Sequence, residues 1–230
     1  MTGATVAAVL GVGAVAGLDL VSVPQAMIGR PLVAGFLGGA VVGGPLAGLA
    51  TGAVLELFAF ETLPIGASRY PDWGPAAAAA GALAALRGGV WDPAWMAGIM
   101  VVALMAAWVG GLGLMLVRRL NAAQLRRREQ AVESGDARAL AALQIGGIAR
   151  DLLRAGALTG VTFAVGERVA RHVAAGWRAP RELADVAVLG TALGVALWSA
   201  YRLFGQGTPR RFFAAGAVAG VALAAGLLAW

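Results

Sequence analysis

The sequence predicts an all-α integral membrane protein, a multi-helix bundle with broken helices and re-entrant helical hairpins. Of its residues, 60% are apolar and 13% are charged, whereas charged residues make up about a quarter of soluble domains. Several uncharged runs reach the roughly 20 residues that a helix needs to cross a bilayer. Other apolar runs are cut by proline or paired glycines, which predicts helices too short to cross.

The organisation that we predict is a single membrane domain over residues 1–230. Residues 1–117 would form a hairpin-containing core, 118–138 a charged cytoplasmic connection, and 139–230 the C-terminal helices. The first element runs from about residue 3 to Leu20, and Pro24 breaks the helix shortly after Asp19. Because no basic region precedes this apolar run, we expect a retained membrane element and not a cleaved signal peptide.

The uncharged run from Pro31 to Leu55 is long enough to span, but Gly43-Gly44 and Pro45 divide it. It therefore predicts two short helices in a hairpin. Glycines recur at four-residue spacing on each half, as Gly35, Gly39 and Gly43 and then Gly44, Gly48 and Gly52. Such stripes allow close approach of backbones, and ordinary helix packing explains them without a further function.

A polar, proline-containing stretch follows from Leu55 to Asp72. A carboxylate within an apolar membrane run is costly unless it is paired or faces water, so Glu56 is a functional candidate. Irregular backbone at membrane depth is tolerated where it is buried in protein or lines a cavity, and there it can bind a ligand.

A short alanine-rich helix is predicted over residues 75–86, and the clearest spanning helix from Ala94 to Val117. Tryptophans at positions 91 and 95 indicate one membrane interface, and Arg118-Arg119 indicates the cytoplasmic end. The connection 118–138 is expected to be helical. It would be a docking surface for a soluble partner or, as we favour, a loop that sets the topology near anionic headgroups.

The next apolar region, from Ala139 to Gly166, contains Arg150, Asp151 and Arg154. Their spacing predicts a partly self-neutralised cluster at an interfacial bend, in preference to a substrate site. His172 follows in a polar stretch and is interpreted as a surface histidine. The last apolar elements run from Val186 to Tyr201 and from Phe212 to Trp230.

The arginine-rich connections 118–128 and 202–211 are expected on the same side of the membrane. If that side is the cytoplasm, the charges between residues 150 and 182 require a helix that dips or breaks.

Several function classes are excluded or disfavoured by composition. The chain has no Cys and one His, which excludes disulfides and Cys-ligated metals and makes zinc unexpected. No nucleophile, base and orienting group occur together, so we expect no catalytic residue, no metal and no cofactor. The net charge of +6 comes from arginines at the ends of apolar runs, which indicates membrane flanks and not nucleic-acid binding.

Three segments of the N-terminal third resemble one family of membrane proteins. They are Pro24 to Gly35, which contains Arg30-Pro31-Leu32; Thr51 to Leu57, which contains Leu55-Glu56; and Leu63 to Asp72, which contains Ile65-Gly66-Ala67. In order and spacing they are similar to the C component of mannose, fructose and sorbose phosphotransferase permeases. The likeness is specific over residues 17–80, and beyond residue 118 it rests on similar length, a charged middle connection and a hydrophobic C-terminus.

The resemblance implies a sugar-translocating C subunit in a bacterial plasma membrane, multi-pass and without a phosphorylated residue of its own. It implies a mobile core that carries a hexose or amino sugar by an elevator-type motion to the cytoplasm, where a separate B subunit phosphorylates it. The implied partners are the D component, the soluble A and B phosphocarriers, the sugar and membrane lipid, in a hetero-oligomer for which trimeric symmetry is one arrangement. Whether the chain itself counts as an enzyme is left open.

The family positions that line or support the sugar site fall on five residues that we take as substrate-binding candidates: Gln25, Glu56, Ser68, Arg69 and Asp72. Sugars are polyols, so a buried site must match their hydroxyls or leave unpaired groups that cost about 1–3 kcal/mol each. A carboxylate would accept two hydroxyl hydrogen bonds, and an amide would donate and accept. The aromatic candidates to cover the ring are Phe58, Tyr70 and Trp73.

Two departures from the family pattern stand out. The family usually has Gly-Asp where this chain has Gly43-Gly44, and a Trp or Gly near Phe60-Glu61. These changes would alter sugar preference or mark a divergent member. Two alternatives therefore stay open: a transport-derived membrane subunit with a scaffold role, and an ion-coupled carrier that uses Glu56 or Glu61 as a proton site.

Overall fold

The computed structural model describes residues 1–23, 25–62, 69–88, 91–204 and 209–228. Every regular element in these ranges is helical. The helices are α1 Gly3–Leu18, α2 Pro31–Val42, α3 Pro45–Ala59, α4 Trp73–Ala85, α5 Pro93–Arg127, α6 Glu129–Glu133, α7 Ala137–Gly176, α8 Arg181–Asp185, α9 Thr191–Phe204 and α10 Pro209–Leu228, with a π-helical turn at Val186–Gly190 between α8 and α9.

The predicted hairpin is formed by α2 and α3. Each helix begins with a proline, and α2 ends at Gly43, whose φ of 91° suits glycine. A Cβ built on Gly35 would lie 2.8 Å from both the carbonyl oxygen of Gly48 and the Cα of Gly52. The glycine stripes therefore pack the two backbones against each other, as predicted.

The short helix α4 lies at the centre of the bundle. Its residues from Gly74 to Ala85 are all buried, and it packs against α1, α2, α3, α5 and α7. Small side chains make this possible: a Cβ on Gly38 of α2 would lie 2.1 Å from the carbonyl oxygen of Ala78. The alanine-rich sequence thus forms a thin helix that its neighbours approach closely.

The two longest helices, α5 and α7, run antiparallel. Gly98 lies against Ala170 near one end of the pair, and Gly147 lies against Asn121 near the other. The carboxylate of Asp92 caps α5 by accepting from the N–H groups of Ala94 and Trp95. Although partial burial acts in the opposite direction, hydrogen bonds from the Arg87 side chain and the Trp95 N–H lower the pKa of Asp92 below its usual value.

The predicted bend near Arg150 is wrong, because α7 continues without interruption from Ala137 to Gly176. Two charged side chains of this region are bound by a residue of α5 or by a residue of α7 itself, and they do not require a break. The Nε of Arg150 donates to Asn121 Oδ1 at 2.8 Å, and the Nε of Arg154 donates to Asp151 Oδ1 at 2.8 Å. The chain leaves helical geometry later, at residues 177–180.

Among the described residues, two helices are long and apolar enough to cross a membrane: Pro93–Arg127 and the continuous segment Arg181–Phe204. Helix α2 has 12 residues and extends about 18 Å, well short of the roughly 30 Å of a bilayer core. The α2–α3 hairpin therefore has the length of a re-entrant hairpin, as predicted.

The bundle has two ends, which we call the Arg118 end and the Asp92 end. At the Arg118 end lie the end of α3, the start of α4 and Arg202, since Arg118 bonds Tyr70 and Arg202 lies beside Phe60. At the Asp92 end lie the end of α7 and the start of α8. Arg118 and Arg202 thus share an end, as the charge pattern predicted.

Candidate functional site

A cavity of about 160 Å³ lies near the Arg118 end. Its walls are the end of α1, the segment between α1 and α2, the end of α3 and the segment before α4. A single water occupies roughly 10–15 Å³ on this scale, so there is room for a small polar molecule. The helices that meet here are those that stop short of a full crossing.

The segment between α1 and α2 is held by Asp19, which is buried and lies on the cavity wall. Its carboxylate accepts from the N–H of Ala26 at 2.6 Å and from the N–H of Gly29 at 2.9 Å. Met27, between those two donors, has a φ of 64°, a left-handed conformation that is unusual for a non-glycine residue. Two charge-assisted hydrogen bonds thus maintain a strained turn at the cavity.

Sequence reasoning missed Asp19 as a site residue. The signal that could have found it is an acid at the end of an apolar helix, directly before a proline-containing segment with free N–H groups.

Of the five predicted site residues, Gln25 lines the cavity. Its side-chain Nε2 donates to the carbonyl oxygen of Leu20 at 3.3 Å. Arg69 is exposed and is not a cavity-lining residue. Ser68, together with the rest of 63–68, lies outside the described residues.

Glu56 is a neighbour of the cavity and does not line it. Its carboxylate forms an ion pair with Arg30 and accepts from the N–H of Leu32 at 3.1 Å. Leu32 lies in the first turn of α2, where N–H groups have no partner within the helix. The acid is thus accommodated by a cation and a helix N-terminus, so its burial does not by itself require a ligand. Its partner Arg30 does line the cavity.

Asp72 is fully buried and forms an ion pair with Arg154 of α7. Its N–H also donates to the carbonyl oxygen of Ala107 at 2.8 Å. Arg154 bonds Asp151 as well, and Asp151 Oδ2 accepts from the hydroxyl of Ser22 at 2.5 Å. The predicted pairing of Asp151 with Arg154 is confirmed. Asp72 does not line the cavity but holds the segment that does.

The aromatic part of the wall comes from Tyr70 and Trp73, while the third candidate, Phe58, packs against the core. The Tyr70 hydroxyl accepts from Arg118 Nη2 at 2.7 Å, and the guanidinium lies 5.2 Å from the ring centroid. The Trp73 Nε1 donates to Thr62 Oγ1 at 3.1 Å. These bonds fix both rings at the cavity.

His172 is exposed, which agrees with its interpretation as a surface histidine. Within the described residues, no group of three or more potential metal ligands lies together. The site therefore combines an amide, a hydroxyl, a carboxylate and a guanidinium with two aromatic rings, an arrangement suited to a polar, uncharged small molecule.

Comparisons with known proteins agree with this picture. A family model described as the sorbose-specific IIC component of the phosphotransferase system (PTS) matches residues 4–201. No curated protein matches the sequence. A solved structure described as a membrane protein covers 100% of this chain and 93% of its own, with a TM-score of 0.76 and 21% identity. The cryo-EM structure of the mannose transporter ManYZ with microcin E492 (MceA) is also similar: the match covers 100% of this chain and 92% of the ManYZ chain, with a TM-score of 0.62 and 21% identity.

Proposed function

Because the chain belongs to the family of sorbose-specific IIC components of the phosphotransferase system, we propose that its cavity binds a hexose or an amino sugar for transfer into the cell. The chain is accordingly the C component of a mannose-family permease, a sugar transporter subunit in a membrane.

The observation that carries the proposal is the composition of the cavity wall. Gln25, Arg30 and Thr62 bring hydrogen-bonding groups to a small, partly open cavity, and Tyr70 and Trp73 bring flat apolar surfaces. A sugar ring presents hydroxyls at its edge and C–H groups on its faces. Such a wall matches both, and it avoids the cost of leaving buried polar groups unpaired.

In this proposal the predicted residues have different roles. Gln25 donates to and accepts from sugar hydroxyls directly. Glu56 acts through Arg30, whose guanidinium it holds beside the cavity. Asp72 fixes the wall that carries Tyr70 and Trp73, while Ser68 and Arg69 remain candidates for a wider binding surface.

The proposed orientation of the protein in the membrane follows from the positions of its arginines. The cavity lies near the end that contains Arg118 and Arg202, and arginine-rich ends of membrane helices face the cytoplasm. We place this protein as a multi-pass protein of a bacterial inner membrane, with its sugar presented to the cytoplasm after an elevator-type movement. A soluble B subunit, charged by an A component, would phosphorylate the sugar there.

The proposed assembly is a hetero-oligomer with a D component of the same permease, surrounded by lipid, with trimeric symmetry as one arrangement. The solved mannose transporter ManYZ has a similar fold. An ion-coupled carrier is a weaker proposal, because Glu56 is engaged by Arg30 and a backbone N–H. No feature of the described residues specifically favours a scaffold role.

The test is sugar binding and uptake by the permease that contains this chain. Titration calorimetry with D-mannose, D-glucose, D-glucosamine and L-sorbose would identify the sugar. Gln25→Ala should then weaken its binding by roughly threefold to tenfold, since a typical hydrogen bond contributes about 0.5–1.5 kcal/mol net. Gln130→Ala, the same change at an exposed position between α5 and α7, is the matched control. Binding of none of the sugars, or equal binding by both variants, would contradict the proposal.

A further inference from the structure

One side chain of α7 is connected to both of the chain segments that form the cavity wall. Arg154 forms an ion pair with Asp72, which lies in the segment before α4. It also donates to Asp151, whose other oxygen accepts from Ser22 in the segment between α1 and α2. Ser22 and Asp72 are far apart in sequence, and the Arg154–Asp151 pair joins them through α7.

This network is deeply buried, although its members do not line the cavity. The side chains of Asp72 and Asp151 are 1% and 2% exposed, and that of Arg154 is 11% exposed. Ion pairs and hydrogen bonds are stronger in such surroundings than in water, and removal of one partner leaves a buried charge uncompensated. The network therefore fixes the positions of the atoms it connects.

Helix α7 provides a firm base for this network. It has 40 residues and packs against α1, α4 and α5. A Cβ on Gly13 of α1 would lie 1.9 Å from Thr159 Oγ1, and one on Gly110 of α5 would lie 2.5 Å from the Leu158 side chain. Arg154 thus extends from a tightly packed helix towards two segments without regular secondary structure.

We propose that Arg154 is a positioning residue for the sugar site, which holds the two segments 19–30 and 69–72 in the arrangement that forms the cavity. The proposal rests on the proposed function, because it takes the cavity as the sugar site. Arginine suits this position because its planar guanidinium offers several N–H donors and bonds two carboxylates at once, whereas a lysine ammonium is a single point charge.

The experiment compares Arg154→Lys with Arg150→Lys in the full-length protein. Arg150 lies one helical turn earlier and donates to Asn121 of α5. It forms no bond to the described residues of either segment, so it is a matched control. Hydrogen exchange measured by mass spectrometry reports on segments 19–30 and 69–72. Calorimetry reports on the sugar that the unaltered protein binds among D-mannose, D-glucose, D-glucosamine and L-sorbose.

With Arg154→Lys we expect faster exchange in both segments and roughly tenfold weaker sugar binding, the usual size of an effect that follows from the loss of one buried charged hydrogen bond. Arg150→Lys should leave exchange in both segments and the affinity unchanged. Ser22→Ala, which keeps both ion pairs of Arg154, should loosen 19–30 alone. This variant also tests the network if Arg154→Lys does not accumulate in the membrane.

Unchanged exchange and affinity in Arg154→Lys would overturn the proposal, as would equal effects of Arg150→Lys. If the unaltered protein binds a sugar but Arg154→Lys leaves exchange in the two segments unchanged, the proposed function stands and the positioning role fails. If both segments loosen but no sugar binds to any variant, Arg154 holds the cavity and the assignment of that cavity to sugar is overturned.

Discussion

Three acidic side chains near the cavity show how this membrane domain accommodates carboxylates. Asp19 accepts from two backbone N–H groups, Glu56 pairs with Arg30, and Asp72 pairs with Arg154. In each case a donor within the protein compensates the charge. A buried acid at membrane depth therefore indicates a carboxylate that has partners within the protein. Which groups contact a ligand follows from the residues that line the cavity.

The turn between α1 and α2 should depend on the charge of Asp19. In Asp19→Asn the amide keeps one accepting oxygen, but its NH₂ group faces a backbone N–H and cannot accept from it. We expect a loss of about 1–3 kcal/mol, the cost of one unsatisfied buried donor. Thermal unfolding in detergent and limited proteolysis within residues 19–30 measure the effect.

Asp136→Asn is the control for that change. Asp136 is exposed and caps α7 by accepting from the N–H of Arg138 at 2.9 Å. Asparagine caps helices about as well as aspartate, so this variant should unfold at the temperature of the unaltered protein. Similar unfolding temperatures for both variants would show that Asp19 does not hold the turn.

The pair of Arg30 and Glu56 should act as one unit in sugar binding. Glu56→Ala is expected to weaken the affinity, because Arg30 loses the partner that holds it at the cavity. If the effect passes through Arg30, the double variant Arg30→Ala/Glu56→Ala should bind about as weakly as Arg30→Ala alone. Calorimetry on the three variants gives the coupling; additive losses would instead indicate that Glu56 contacts the sugar itself, and sugar uptake unaltered in Glu56→Ala would remove its role.

At this scale the sequence allowed Gln25, Glu56 and Asp72 to be selected, but it did not show how they are used. The cost of a buried acid is visible in a sequence, whereas its partner is not. Asp72 and Arg154 are separated by more than eighty positions, and only packing of α7 beside the start of α4 brings them together. Arg30, which belongs to the Arg30-Pro31-Leu32 motif, lines the cavity, yet it is not among the residues that the sequence predicts for the site.

Among the elements, the α2–α3 hairpin makes the sharpest prediction. Gly35→Ala would place a methyl group 2.8 Å from backbone atoms of α3, and rigid backbone cannot move aside as a flexible side chain can. Overpacking of this kind costs about 1–3 kcal/mol. The variant should show a lower unfolding temperature and less protein in the membrane, as measured by fluorescence-detected chromatography.

Gly11→Ala in α1 is the matched substitution, because a Cβ there would meet nothing within 4 Å. Alanine favours the helix over glycine by about 1 kcal/mol, so this variant should be neutral or slightly more stable. Equal behaviour of the two alanine variants would mean that the hairpin backbones are farther apart than described.

The elements that were predicted well are those with local signals. Gly43-Gly44-Pro45 ends one helix and starts the next, and the uncharged run from residue 94 onward gives α5. The bend near Arg150 was predicted wrongly because charges inside an apolar run suggest an interface. In the structure Arg150 and Arg154 find partners on α5 and before α4, so α7 has no need to bend there.

For the whole molecule, the distribution of arginines predicts which end faces the cytoplasm. The chain has no Cys, so single cysteines can report accessibility without background. Ser134→Cys lies between α6 and α7 at the Arg118 end, and Ala175→Cys lies near the end of α7 at the Asp92 end; both positions are exposed. In intact cells a membrane-impermeant maleimide should label Ala175→Cys, and Ser134→Cys only after permeabilisation.

Reversed labelling would place the Arg118 end outside the cell, and with it the cavity. Labelling of both positions in intact cells would indicate that the cells are leaky. A cytoplasmic enzyme with a reactive cysteine is the control, because it stays unlabelled as long as the cells are intact.

The position of α4 also has a consequence for biogenesis. At 13 residues it extends about 20 Å, too little to be retained alone by a bilayer core of about 30 Å. Two of the helices that cover it, α5 and α7, are synthesised later. The ribosome therefore releases α4 when α1, α2 and α3 exist but α5 and α7 do not, and we expect the N-terminal half of the chain to reach its final form only after α7 has emerged.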